Sequence, residues 1–341
     1  QEVYQEGVII PAVRFVSEGT LDDDVFRLVL AQIRSKRETA GDFRAQVASN
    51  NTGVRRIQEL VNRYGVKQFE LYLEAIVDYT RRRTISELTK LPKGVYTAEG
   101  FVDNDGYTED VVNLRVKITI DDQGVLFDTS GSDKQRRAPV NSTYAQTFSA
   151  CAYALRALMD KDLPVNHGFY ESVRIVAPEG SVTNATHPAP VVGGWETHVR
   201  LNDLIFKALS DALPGAVPAG TKAMQCHAGF GGINPRTEEY YCYLETVAGG
   251  FGGRETLDGP DAIQCHGQNT ENAPIEEFEY NYPVRISRYE LIDDSEGAGR
   301  QRGGLGLRRD YMFPDHEASF TVLADRDRAG PHGLFGGRAG S

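Results

Sequence analysis

The sequence is poor in cysteine, in tryptophan and in surplus positive charge. Four cysteines in 341 residues (Cys151, Cys226, Cys242, Cys265), with no Cys-x-x-Cys pair, exclude a disulfide-built miniprotein and suggest a reducing compartment with buried thiols. Lys and Arg number 37 against 48 Asp and Glu, a net charge of -11. A duplex-binding protein needs a basic surplus to release counterions from phosphates, so nucleic acid is not the expected partner. No run approaches the roughly 18 apolar residues of a membrane span. Mean hydropathy is -0.40. No membrane partner is expected, and the cytoplasm is the expected location. The chain opens on Gln1 without a Met, a charged leader or an apolar signal core, so it reads as part of a longer polypeptide.

What is present is an ordinary globular composition, 40% hydrophobic and 25% charged, at a length that allows about two domains. Glycine is raised to 35 residues, above the average of about 7%. The first third reads as helical: an amphipathic stretch at 22–34, then 54–81, where Ile57, Leu60, Tyr64, Tyr72, Ile76 and Tyr79 recur at helical spacing and Gly65 is a candidate break. Ordinary core packing is the expected use of that face. From Lys93 the period changes to two. Val112, Leu114, Val116, Ile118 and Ile120 alternate with polar residues, and Asp121-Asp122-Gln123-Gly124 turns the chain into Val125-Leu126-Phe127, a hairpin over 112–128. Asn141-Ser142 is the expected cap of a helix near 142–160, whose face Tyr144, Phe148, Cys151, Leu155 and Leu158 places Cys151 in the core. A strand at 172–177 and a helix at 202–213 follow. Beyond Gly215 the chain is short strands and glycine clusters.

The fold class is therefore mixed α and β (α+β): a helical N-terminal part, 1–92, then an α+β domain, 93–341, of glycine-rich β-containing layers with packed helices. The segment Gly215 to Lys222 has P-loop spacing but ends Thr-Lys and follows a helix instead of opening one. That argues against the phosphate cradle and places ATP, if it is used, elsewhere. Cys226-His227 and Cys265-His266 look like metal ligands, but adjacent strand residues face opposite ways, which favours buried thiols beside partly exposed histidines.

His198 stands in Gly193-Gly194-Trp195-Glu196-Thr197-His198, before the expected helix at 202. Two readings are equally open: a polar ligand site, or a capping segment with a satisfied histidine. The densest polar constellation is 264–279, where Asn269, Thr270 and Asn272 offer neutral donors and acceptors beside Glu271, Glu276, Glu277 and Glu279. A site for an amide or carbonyl substrate needs such groups, and an acidic surface loop also has them. No G-x-S-x-G, HExxH or EF-hand motif is present.

In this order, several short motifs resemble the B-type half of the hydantoinase/oxoprolinase family. They are Tyr4-Gln5-Glu6-Gly7, Gly41-Asp42-Phe43-Arg44-Ala45-Gln46, Leu91-Pro92-Lys93-Gly94-Val95-Tyr96, Asp128-Thr129-Ser130-Gly131, the run ending at His198, Gln268-Asn269-Thr270-Glu271-Asn272 and Asp294-Ser295-Glu296-Gly297. The resemblance implies ATP-dependent opening of a hydantoin, 5-oxoproline or lactam ring after phosphoryl activation by an A-type, ATP-binding partner. ATP with Mg would sit on that partner. Related acetone and acetophenone carboxylases use similar subunits, so a ketone carboxylase subunit and a non-catalytic scaffold for the ATPase are the alternatives.

The family's B-type chains extend upstream of Glu6 and beyond Gly340. The resemblance therefore implies missing N- and C-terminal parts as partners, and a divalent metal whose ligands lie mainly upstream of this chain. Its implied site residues are His198, relaying a proton to the departing nitrogen, and Glu6, as a base or a supporting carboxylate, with a cap or salt bridge equally open. Asn269 and Asn272 would orient the ring, and Glu276 would hold them. Arg302, Arg308 and Arg309 are expected on a solvated basic face, with contact to the partner or to phosphate as the alternative.

Overall fold

The computed structural model describes residues 2–341. A 3-10 turn (Val3–Gln5) and a small ribbon, β1 (Val16–Ser17) with β2 (Thr20–Leu21), precede three helices: α1 (Asp23–Ala31), α2 (Lys36–Tyr64) and α3 (Val66–Leu88). Asp22 caps α1 by accepting from the amides of Asp24 and Val25. Gly65, at φ +78°, parts α2 from α3, so the expected stretch 54–81 belongs to two helices. Their apolar face is not core. Ile57 and Ile76 are each 53% exposed, and Leu60, Tyr64, Tyr72 and Tyr79 also face outward. Helical periodicity shows that a face is apolar, not that this chain covers it. Instead α3 docks through its C-terminal half, where Thr80 and Thr84 are buried and bond carbonyls one turn back, and Arg81 pairs with Glu171 at 2.6 Å.

The main sheet has the order β3-β4-β5-β6. Strands β3 (Gly94–Val102), β4 (Val112–Asp121) and β5 (Gly124–Asp128) are antiparallel, and β6 (Val173–Val176) joins β5 in parallel. The alternation of β4 buries Val112, Leu114, Val116, Ile118 and Ile120 and leaves Asn113, Arg115 and Lys117 exposed.

Helices α4 (Tyr144–Ala157), α5 (His167–Tyr170) and α6 (Gly194–Leu209) follow. Thr143, not Asn141-Ser142, caps α4, in a reciprocal box with Gln146. Asn141 is buried instead, its Nδ2 donating to the carbonyls of Arg136, Ala138 and Pro190. Cys151 lies in the core as expected. Helix α6 packs on β3, β4 and α4, with Leu201, Ile205 and Leu209 in one core with Leu114, Ile118 and Phe127. It starts at Gly194, eight residues before the expected 202. The reason is that its first turns are polar yet buried, so a hydropathy pattern reads them as loop.

The last third forms a sheet ordered β11-β7-β8 and a separate ribbon of β9 with β10. The elements are β7 (His227–Ile233), β8 (Tyr240–Thr246), α7 (Ile275–Asn281), β9 (Arg285–Ile292), β10 (Gly306–Met312) and β11 (Ala318–Leu323). Phe230, Tyr241, Phe278 and Val284 make its core. The class is α+β, helical first, as expected. No helix among the described residues is long and apolar enough to cross a membrane.

Candidate functional site

Helix α6 carries an unusual load. Glu196, Thr197, His198, Arg200, Asn202 and Asp203 are all at most 6% exposed. Buried polar groups require partners, and most of these have them. Glu196 accepts from the Gln225 amide at 3.0 Å and faces His227 at 3.5 Å. Thr197 donates to the Val140 carbonyl at 2.5 Å, and Arg200 pairs with Asp325. Asp203 accepts from the Thr221 amide at 3.0 Å and pairs with Arg326 and His332. Burial works against the Asp203 carboxylate, but the bond from His332, the charge of Arg326 and the Thr221 amide hold its pKa far below the usual range.

Two neighbours on this helix are left open. His198 Nδ1 lies 3.0 Å from the Gln146 carbonyl. A carbonyl only accepts, so Nδ1 carries the proton and Nε2 presents a lone pair. Burial pushes this imidazole below its ordinary pKa, against the opposing effect of the Gln146 carbonyl. One turn on, Asn202 is fully buried, and neither its Oδ1 nor its Nδ2 has a partner among the described residues. Gly267, at φ +79°, covers both. A Cβ there would lie 2.9 Å from His198 Nε2 and 3.2 Å from Asn202 Nδ2, so glycine is required by conformation and by space.

Next to Gly267, His266 bonds Tyr153 OH through Nδ1 at 3.2 Å and sits against the rings of Phe206 and Phe251. Its Nε2 is buried without a partner among the described residues, and burial pushes its pKa down to about 4. His198, Asn202 and Phe206 form an i, i+4, i+8 stripe on α6. Around Gly267 the arrangement offers a neutral base, an unpartnered carboxamide and, on the adjacent residue, a second buried imidazole. Among the described residues no three His, Cys, Asp or Glu side chains group so as to hold a metal ion.

The sequence matches the family described as Hydantoinase B/oxoprolinase over residues 1–341. The chain belongs to that family. It is 32% identical over 350 residues to the B-type component of a putative D-/L-hydantoinase of Pseudomonas sp., covering 99% of this chain and 58% of the relative. The crystal structure of an ATP-dependent caprolactamase from Pseudomonas jessenii matches with a TM-score of 0.84 at 29% identity, over 93% of this chain and 56% of that one. A nucleotide-free acetone carboxylase structure matches with a TM-score of 0.91 over 100% of this chain and 48% of that one, and at 19% identity it shows the fold alone. The chain thus spans about half the length of these relatives.

In this hydantoinase B/oxoprolinase chain the other expected site residues lie in different settings. Both carboxylate oxygens of Glu6 are engaged, by the amides of Val191 and Val192 at 2.9 Å, which fixes the segment leading into α6 just ahead of His198. Asn272 ties strand ends, donating to the Thr246 carbonyl at 3.0 Å. Asn269 and Glu276 are exposed. Lys222, last of the P-loop-like octet, is buried and spends its ammonium on the Val247 and Gln225 carbonyls and on Gln264.

The expected basic face is also revised. Arg302 pairs with Asp261 and Arg308 with Asp310, while Arg309 is buried on Glu245 and over the Tyr289 ring. The sequence does not single out Asn202, Asp203 or His332, and His266, expected to be partly exposed beside a buried Cys265, is itself buried. One signal is available in the sequence: four polar side chains, His198, Arg200, Asn202 and Asp203, within six residues.

Proposed function

We propose that this chain is the ring-facing, B-type portion of an ATP-dependent cyclic-amide hydrolase that works with an A-type partner. The observation that carries the reading is the pair His198 and Asn202 on α6 in a chain of this family. A ring amide is held cis, so its N–H and C=O lie on one side of the ring. A carboxamide with both ends free is the matching donor and acceptor pair. The relatives' names, hydantoinase and caprolactamase, describe substrates of this kind.

An amide is a poor electrophile. ATP on the partner would supply the phosphoryl group that activates the amide oxygen. This chain's residues then have three tasks. Asn202 orients the amide edge. His198 Nε2 takes a proton from the water that adds to the carbon and returns it to nitrogen as the C–N bond breaks. Gly267 and the surrounding apolar rings exclude bulk water. A second water releases phosphate. Glu6 acts by position, holding the start of α6. Free thiols and an ATP requirement suit the cytoplasm.

The test is phosphate release and ring-opened product from the complete B-type protein with its A-type partner, offered hydantoins, 5-oxoproline, lactams and ketones with and without bicarbonate. Stoichiometric ring opening without bicarbonate supports the hydrolase. A requirement for a ketone and bicarbonate replaces it with a carboxylase. In the hydrolase, His198→Gln lowers kcat about 10²–10⁴-fold and leaves partner binding intact.

A further inference from the structure

Asp203 follows His198 by five residues, which at 3.6 residues per turn turns it to a different face of α6. Beyond Asp203 lies a crevice of about 640 Å³, within the usual volume of small-molecule sites. Its walls are rich in glycine, with apolar side chains such as Val217, Val247, Phe251, Ile292 and Leu307 between the glycine clusters. A Cβ on Gly252 would lie 1.9 Å from the Ala219 carbonyl oxygen, and one on Gly304 would lie 2.0 Å from that of Pro260. The glycine clusters thus let three chain segments approach backbone to backbone, and the charged side chains at the crevice are few. Arg254, Arg300 and Arg338 are exposed at it, and no ion pair engages any of the three among the described residues. Glu255 is the single acidic side chain in the lining.

Among the other polar side chains of the lining, Lys222 is spent on carbonyls, whereas His332 is not fully engaged. Its Nδ1 lies 3.5 Å from Asp203, and the Gly220 amide donates to its carbonyl at 2.8 Å, so the residue is anchored twice. A carboxylate accepts, so Nδ1 carries a proton, and in the neutral ring Nε2 presents a lone pair. That Nε2 is buried and has no partner among the described residues. Buried acceptors without partners are rare and call for a ligand or water.

We propose that this crevice is a second binding site, for a small molecule that carries both an oxyanion (carboxylate or phosphate) and a hydrogen-bond donor. The donor engages His332 Nε2, and the oxyanion engages the unpaired arginines, which take planar or tetrahedral oxyanions through paired N–H groups. Asp203 is a positioning residue: it fixes the tautomer of His332, and Arg326 in turn holds Asp203.

Binding is measured on the protein alone, without ATP or a partner, by calorimetry and by the imidazole nitrogen resonances of His332. Failure here is therefore separable from failure of the hydrolase reading. The probes are 5-oxoproline (a carboxylate and a ring N–H), 2-pyrrolidone (the same ring without the carboxylate) and inorganic phosphate. The expected result is saturable binding of 5-oxoproline with a shifted His332 resonance, and binding of 2-pyrrolidone at least tenfold weaker. Arg300→Ala with Arg338→Ala, at exposed positions that leave the fold intact, weakens 5-oxoproline at least tenfold, and His332→Phe abolishes the resonance and weakens binding. Displacement of 5-oxoproline by phosphate assigns the rim to phosphate-bearing ligands as well, and persistence in its presence restricts the rim to carboxylates. Three results overturn the proposal: no saturable binding of 5-oxoproline or phosphate, equal affinity for the neutral ring, or binding indifferent to the paired arginine substitutions.

Discussion

At the scale of single residues, the feature to explain is polarity retained where water is excluded. Asn202 is fully buried with both ends of its amide open among the described residues, and an unmet buried group costs about 1–3 kcal/mol. Asn202→Leu, with the same branching and no polar ends to satisfy, should raise unfolding stability by about 1–2 kcal/mol and depress ring-opening turnover. Chemical denaturation beside steady-state rates checks this. A merely structural asparagine would lose both.

His266 makes a pH prediction. Its pKa is pushed down to about 4 by burial, with the Asp203 charge opposing, so the folded protein stays unprotonated there while the unfolded chain titrates near 6.5. Stability is thus full above about pH 6.5 and declines as pH falls toward about 4, by an order of 3 kcal/mol in total. His266→Phe should flatten the fall in urea midpoint between pH 7 and 5, with Tyr153 OH, the ring's hydrogen-bond partner, retained. These residues are only partly legible in the sequence. His198 draws attention because it follows two glycines and the single tryptophan, whereas Asn202 looks like any surface residue and His266, noticed beside Cys265, reads as partly exposed until its burial is known.

At the scale of elements, α2 and α3 present apolar side chains to solvent, while β4 and α6 bury theirs. Substituting an exposed apolar residue removes no packing. Leu60→Glu with Ile76→Glu should therefore shift unfolding stability by no more than about 0.5 kcal/mol each. Leu201→Ala, at a fully buried position, should cost about 2–5 kcal/mol. Parallel thermal melts of the variants decide. The periodicity of 54–81 identifies helix and misleads about core, because an amphipathic pattern carries no address for its partner. The start of α6 escapes the sequence for the opposite reason. Its buried residues are polar, and only distant groups such as Gln225, Asp325 and Arg326 make that burial tolerable.

At the scale of the whole molecule, two buried ion pairs tie the middle of the chain to its end: Arg200 with Asp325, and Asp203 with Arg326. Asp325 also accepts from the Asp103 amide at 2.7 Å, so one carboxylate joins β3's exit, α6 and the segment after β11. Breaking a buried pair strands its partner's charge, and Asp325→Ala should cost about 3–5 kcal/mol, read as a lowered denaturation midpoint with one cooperative transition.

The sequence by itself determined the local architecture. Period two fixed β4 and its hairpin, heptad-like spacing fixed α4 with Cys151 inside, and the ordered motifs pointed to the family, because each of these depends on neighbours within a few positions. The tertiary structure alone decided which polar residues are buried, which apolar helix faces remain open and which side chains line the crevice. Those outcomes depend on contacts between residues more than a hundred positions apart, such as Asp203 with Arg326, and no local pattern encodes the free energy of such a contact.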